Sequence, residues 1–164
     1  MYPNLEIRPC KNGKGLFTKA EIPAGVSIFE IIGKVYIEEK LPNPSDPVNI
    51  QVGPNTFFAP TGSFSDYLNH SCDPNCYLRV VGNRAILFSL YVIPANTELT
   101  YDYSTTSTDT LDKWKMDCGC GTAKCRKVIS GFQYLNPELQ EEYKNKDLVP
   151  LYIKYPNMFQ KRFE

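Results

Sequence analysis

Histidine and tryptophan are nearly missing from this chain: one of each, His70 and Trp114, among 164 residues. A lone histidine is ordinarily a satisfied structural residue, so its count alone assigns no proton transfer to His70. Charge of either sign is not in excess. Eighteen basic and eighteen acidic side chains give a net charge of zero, which removes any global pull toward nucleic acid or a membrane surface. No apolar run approaches the length of a bilayer span. Met1-Tyr2-Pro3-Asn4-Leu5-Glu6 lacks the basic and apolar stretches of a secretory signal. An intracellular setting, cytoplasmic or nuclear, is therefore expected, and a reducing compartment disfavours disulfides. No glycine-rich strand-to-helix turn appears, so a Rossmann-type nucleotide fold is not expected. Sustained β-helix-β alternation is also missing, which argues against a doubly wound parallel sheet.

What is present is ordinary for one soluble domain: 42% hydrophobic and 22% charged residues, enough to bury a core. Eleven tyrosines and nine phenylalanines suit a β-rich core, or an aromatic-lined channel. Short runs rich in β-branched and aromatic residues predict strands at Gly15 to Ala20, Val26 to Ile32, Val35 to Ile37, Val48 to Val52 and Thr56 to Phe58. Tyr77 to Val81 and Arg84 to Val92 flank Gly82-Asn83, a two-residue hairpin signal. Leu41 to Pro47, with three prolines, reads as a loop. Ile93-Pro94-Ala95-Asn96 echoes Ile22-Pro23-Ala24-Gly25. We read this as recurrent turn chemistry rather than a true repeat, with Asn96 in the left-handed conformation that Gly25 adopts freely. Ser104 to Thr110 is polar and reads as a mobile loop. Pro137 to Lys146 has proline in the first turn, acids early and lysines late, and predicts a helix. Leu148 to Tyr155 is apolar and should pack back on the domain. Tyr67 and Phe64 are expected as packing residues, and Trp114 either packs or lies near a ligand.

Cys118, Cys120 and Cys125 place three thiols on one glycine-bent loop. A tetrahedral structural zinc needs a fourth ligand. Cys10, Cys72, Cys76 and His70 are all available, and spacing does not choose among them. Free core cysteines are the bland alternative, but core cysteines rarely cluster with glycines in a polar, turn-rich segment. The metal would order a loop with too little apolar surface to order itself.

Asn69-His70-Ser71-Cys72-Asp73-Pro74-Asn75, Glu98-Leu99-Thr100-Tyr101-Asp102-Tyr103 and the Cys-x-Cys-x4-Cys tail resemble, in this order, the SET-domain protein lysine methyltransferases. Gly13-Lys14-Gly15-Leu16-Phe17 resembles that family's N-terminal Gly-x-Gly motif. The resemblance implies a mainly β fold of small curved sheets with a knot-like crossing, few short helices and a zinc-stapled tail. It implies a SET-like catalytic domain (1–110) and a post-SET-like zinc loop (111–130); it does not cover the last thirty-odd residues, where the helix and apolar patterns read above predict a C-terminal helical extension (131–164) packed on the domain. It implies S-adenosylmethionine on one face and a lysine entering from the other through a narrow channel. Lys14, Gly15 and Leu16 would contact the cofactor through backbone; Asn69 and His70 would hold its amino-acid end and adenine. Tyr103 matches the catalytic tyrosine, which also borders the cofactor, and Tyr101 a position held by Phe or Tyr. Cys72 matches the fourth zinc ligand. Cys10 and Cys76 are then free thiols. Two departures stand out: Asn96 and the residues Arg126-Lys127 occupy places where the family often has glycine.

The chemistry asked of these residues is methyl transfer to a neutral amine. Neutralising lysine at pH 7 costs about 4–5 kcal/mol. An aromatic channel and a nearby sulfonium both disfavour the ammonium form. Tyr101 and Tyr103 alternate along a strand and so share a side, as channel walls or as a core stripe. A hydroxyl at Tyr101 would crowd an already methylated nitrogen, so mono- or dimethylation is expected. The expected partner is a protein or peptide lysine, histone or not, bound by a monomer without direct nucleic-acid contact and away from membranes. An inactive SET-like zinc protein acting as a binding module is the main alternative. A small zinc protein that binds nucleic acid is weaker, since no basic run exists to hold phosphates.

Overall fold

The computed structural model describes residues 4–108 and 114–159. Among these residues there are five small sheets, four of which contribute to one core. β1 (Leu5–Cys10) and β2 (Gly13–Thr18) form an antiparallel hairpin. β3 (Ser27–Ile31), β9 (Arg84–Ser89) and β8 (Cys76–Val81) form a three-stranded sheet in that order. β4 (Val35–Ile37), β6 (Thr56–Phe58) and β5 (Ile50–Gly53) form another. β7 (Asn69–His70) and β10 (Thr100–Tyr101) make a two-residue parallel pair. β11 (Lys115–Asp117) and β12 (Val128–Ser130) frame the cysteine loop. Helices α1 (Pro137–Asn145), α2 (Leu151–Lys154) and α3 (Pro156–Phe159) follow.

Alternation drives the sheets. In β8 the residues Cys76, Leu78 and Val80 point inward, while Val81 is exposed. They meet Ile28, Ile31, Ala85 and Leu87 in a core that also takes Leu16, Ile22, Ile93 and Leu99. Tyr143, Val149, Tyr152 and Ile153 from the C-terminal stretch join the same cluster. Asn136 caps α1, its side-chain oxygen accepting from Leu139 N at 2.8 Å. No helix among the described residues is long and apolar enough to cross a membrane.

The two Ile-Pro-Ala turns prove to be more than recurrent turn chemistry. Ile22 and Ile93 exchange both backbone hydrogen bonds, at 2.9 and 2.8 Å. Thr18 N donates to Thr97 O and Ser89 N to Val26 O. Asn96 N reaches back to Thr18 O, and Gly25 N to Ser89 O. Leu16-Phe17 and Leu87-Phe88 fall at the offset that carries Ile22 onto Ile93, and Phe17 pairs with Glu98 as Phe88 pairs with Ser27. Two copies of one hook thus grip each other about a local quasi-two-fold. Asn96 has φ 62° and Gly25 φ 70°, the shared left-handed turn expected of both.

Other expectations need correcting. Ser104, Thr105 and Thr106 are not a mobile loop: a 3-10 turn buries all three to 3% exposure or less. Residues 109 and 110 lie outside the described residues. Phe64 is not a packing residue but 45% exposed, whereas Tyr67 packs on the core. β9 stops at Ser89, and Tyr91 and Val92 are exposed. The predicted helix over Pro137 to Lys146 forms, ending one residue early. Leu148 to Tyr155 packs back through Val149, Tyr152 and Ile153, leaving Leu151 and Tyr155 exposed.

Candidate active site

The sulfurs of Cys72, Cys118, Cys120 and Cys125 lie within 4.8 Å of one another, with Cys72 and Cys118 3.7 Å apart. A tetrahedral zinc with bonds near 2.3 Å requires sulfur–sulfur edges of about 3.8 Å, so the donor set fits the ion. Burial pushes the Cys118 thiol up to about 12. At Cys120 burial also works upward, but hydrogen bonds from Thr122, from backbone and from Cys118 prevail and bring the thiol down to about 6. Four sulfurs this close would, as thiolates, set like charges side by side, which a divalent cation between them would offset. Of the four candidates for the last ligand, the geometry selects Cys72. Cys76 is buried in the core, and Cys10 sits beside Asn69, whose Nδ2 lies 3.4 Å from its sulfur.

His70 is bonded at both ring nitrogens. Nδ1 accepts from Tyr103 N at 3.1 Å, so the proton resides on Nε2, which faces Cys72 Sγ at 3.2 Å. Burial lowers its pKa to about 4, against an opposing pull from Asp102, and keeps the ring neutral. The ring is thus turned inward, between the sulfur cluster and the Tyr103 backbone. Its backbone pairs with Tyr101.

Tyr103 donates its hydroxyl proton to Leu68 O at 2.6 Å. Its ring lies 4.9 Å from that of Tyr101 and 5.4 Å from His70. Burial raises the pKa of both tyrosines, well above the usual value at Tyr101. Both line a cleft of about 470 Å³, together with Phe57, Thr106, Trp114 and Met116 and the acidic Glu38 and Asp46. On the other side of β7, Asn69 Nδ2 donates to Lys14 O at 3.0 Å and to Glu98 Oε1 at 2.7 Å. A Cβ at Gly15 would lie 2.2 Å from that carboxylate oxygen, so any larger residue there would displace the Glu98 side chain from its present position. Leu16 is fully buried and Lys14 exposed. The eleven residues singled out in the sequence therefore form one contiguous region.

Sequence reasoning passed over Asp102, Arg126 and Tyr143. Arg126 holds Asp102 in a two-pronged pair, Nη1 to Oδ2 and Nη2 to Oδ1, both at 2.7 Å. Tyr143 Oη donates to the same carboxylate. Arg126 N also points at Cys72 Sγ, at 3.4 Å. The signal available was chemical: an acid between two tyrosines that ends up fully buried needs a cationic partner.

A family profile described as the SET domain matches residues 13–104. The chain belongs to the SET-domain family. Mouse histone-lysine N-methyltransferase NSD3 is 33% identical over 154 residues, covering 84% of this chain and 10% of that protein. Histone-lysine N-methyltransferase trithorax of Drosophila virilis is 32% identical over 133 residues, covering 73% of this chain and 3% of its own. Arabidopsis thaliana SUVH6 in complex with SAM superimposes with a TM-score of 0.62 at 27% identity, over 75% of this chain and 32% of that one. KRYPTONITE, in complex with mCHH DNA, an H3(1-15) peptide and SAH, gives 0.63 at 27% identity, over 77% of this chain and 29% of its own. The SET domain described here thus spans a small part of each relative's length. Its small antiparallel sheets with few short helices are the architecture these neighbours share.

Proposed function

We propose that this SET domain is a protein-lysine N-methyltransferase that uses S-adenosylmethionine and is stapled by one structural zinc. The supporting observation is the tie between Tyr103 and the sulfur cluster. The His70 ring joins the Tyr103 backbone to Cys72, so the metal loop and the tyrosine cleft form one mechanical unit.

Bound S-adenosylmethionine would supply an electrophilic methyl group to be taken by an amine in line with the breaking carbon–sulfur bond. The residues of the chain do the rest. Tyr101 and Tyr103 wall the cleft and desolvate an incoming lysine, favouring its neutral form. The Tyr103 hydroxyl, fixed by Leu68 O, orients the amine lone pair. Lys14, Gly15 and Leu16 present backbone to the ligand, and Asn69 and the backbone of His70 hold its amino-acid and adenine ends. Cys72, Cys118, Cys120 and Cys125 hold zinc with no open position, so the metal orders the tail and takes no part in transfer. Residues 1–110 would act as the catalytic unit, 111–130 as the zinc loop and 131–164 as an extension packed on it.

The substrate class is a lysine on a protein or peptide, as the H3 peptide bound by KRYPTONITE suggests by analogy, with mono- or dimethylated product. A monomer in the cytoplasm or nucleus, without nucleic-acid or membrane contact, completes the reading. Incubation with radiolabelled cofactor, core histones and cell extract tests it, comparing the intact chain with Tyr103→Phe. Transfer that falls at least a hundredfold in the variant supports the reading. A chain that binds cofactor yet transfers nothing to any protein is a binding module instead.

A further inference from the structure

Glu98 brings a negative charge to the place where β2, β7 and β10 meet. Its Oε1 receives Asn69 Nδ2 and lies against Gly15 so closely that a Cβ there would collide. The carboxylate is half-buried. Glu6, Glu30, Asp73, Asp102, Glu141, Glu142 and Asp147 each have a basic partner, but no ion pair to Glu98 forms among the described residues. The groups that hydrogen-bond it, the Asn69 amide and the Cys10 thiol, are both neutral, so a cation arriving there would add a charge-assisted contact.

The neighbouring groups match one. Both amide hydrogens of Asn69 are committed, to Lys14 O and to Glu98, so its Oδ1 is the atom left to face a ligand. The corner therefore presents acceptors and negative charge. In the quasi-equivalent hook, away from the cleft, the same place is taken by the exposed Ser27. An acid is found only in the copy that borders Asn69 and Gly15.

We propose that Glu98 binds the α-ammonium group of the cofactor's amino-acid end, with Asn69 Oδ1 as the second acceptor. This rests on the reading that Lys14 to Leu16 and Asn69 hold S-adenosylmethionine. A carboxylate–ammonium contact in a partly desolvated corner is a charge-assisted bond, stronger than a neutral one.

Isothermal titration of the full chain tests it with three ligands: S-adenosylmethionine, S-adenosylhomocysteine, and methylthioadenosine, which lacks the amino-acid end. Glu98→Gln keeps size and an acceptor but removes the charge. It should weaken the first two ligands tenfold or more and leave methylthioadenosine within twofold, which also reports an intact fold. A second measurement needs no variant: a deamino analogue of S-adenosylhomocysteine should bind the wild type at least tenfold more weakly than the parent. Unchanged affinity for the parent ligands in Glu98→Gln, equal weakening of methylthioadenosine, or full-strength binding of the deamino analogue overturns the proposal. Wild type that binds none of the three removes the cofactor reading itself; wild type that binds while the variant is unaffected removes only the role of Glu98.

Discussion

Tyr143 Oη donates a 2.8 Å hydrogen bond to Asp102 Oδ2, inside the Tyr-Asp-Tyr segment that carries both cleft tyrosines. Arg126, one residue past the last zinc-ligating cysteine, grips the same carboxylate. One buried acid thus unites the cleft, the metal loop and α1. Further on, Tyr152 Oη donates to Thr106 O at 2.7 Å and Phe132 N to Ser107 O at 2.7 Å. Thr106 and Ser107 are therefore held from outside by the C-terminal residues, which accounts for polar residues being buried there.

Tyr143→Phe removes one hydrogen bond to a charged group and should cost about 1.5–3 kcal/mol. Asp102→Ala leaves a largely buried guanidinium without its partner and should cost more, about 3–5 kcal/mol. Thermal or urea unfolding of the two variants checks the order; a larger loss in Tyr143→Phe would contradict the central place given to Asp102.

Metal analysis should find one zinc per chain. Cys118→Ser, Cys120→Ser or Cys125→Ser should abolish it, while Cys10→Ser leaves it in place. Chelation should free the segment between β11 and β12, seen as rapid proteolysis after Lys124 or Lys127, because little apolar surface holds it otherwise.

Tyr101→Phe should shift the product toward higher methylation by several fold, read by mass spectrometry of a peptide substrate. Tyr101 is 4% exposed and its ring packs 4.9 Å from Tyr103, so deletion of the hydroxyl opens room beside the amine without displacing the wall. An unchanged product ratio would separate Tyr101 from product control.

Burial raises the hydroxyl pKa of Tyr101, Tyr103 and Tyr152 above that of the unfolded chain. The folded protein then holds protons that the unfolded chain releases above pH about 10, so stability is intact below that pH and falls as pH climbs through the alkaline range. Alkaline titration should show phenolate absorbance from these residues appearing together with loss of structure, not before it.

Much of the site could be read ahead of the coordinates because it is written in residue types with few alternatives. Three clustered thiols, a Gly82-Asn83 turn and an Asn96 that must turn left-handed carry their conformations with them. The parallel pair of β7 and β10 could not be read, because two residues have no period to detect. β1 was missed since Arg8, Pro9 and Cys10 give weak strand signals, and only its pairing with β2 fixes it. Tyr143 looked like one residue of a polar helix; its value comes from Asp102, forty-one positions away. Lys127 adopts φ 68° where glycine is common in the family. An ordinary side chain in that conformation costs about 1–2 kcal/mol, so the surrounding loop must enforce it. The metal site and the N–H bond from Cys118 to Lys127 O at 2.7 Å provide that constraint.

The interlocked hooks have a mechanical corollary. Each turn is latched by the strand that the other turn releases, so neither can peel away while its twin stays closed. A protease nick near Pro23 or Pro94 should therefore loosen both turns together, even though only one of them is cut.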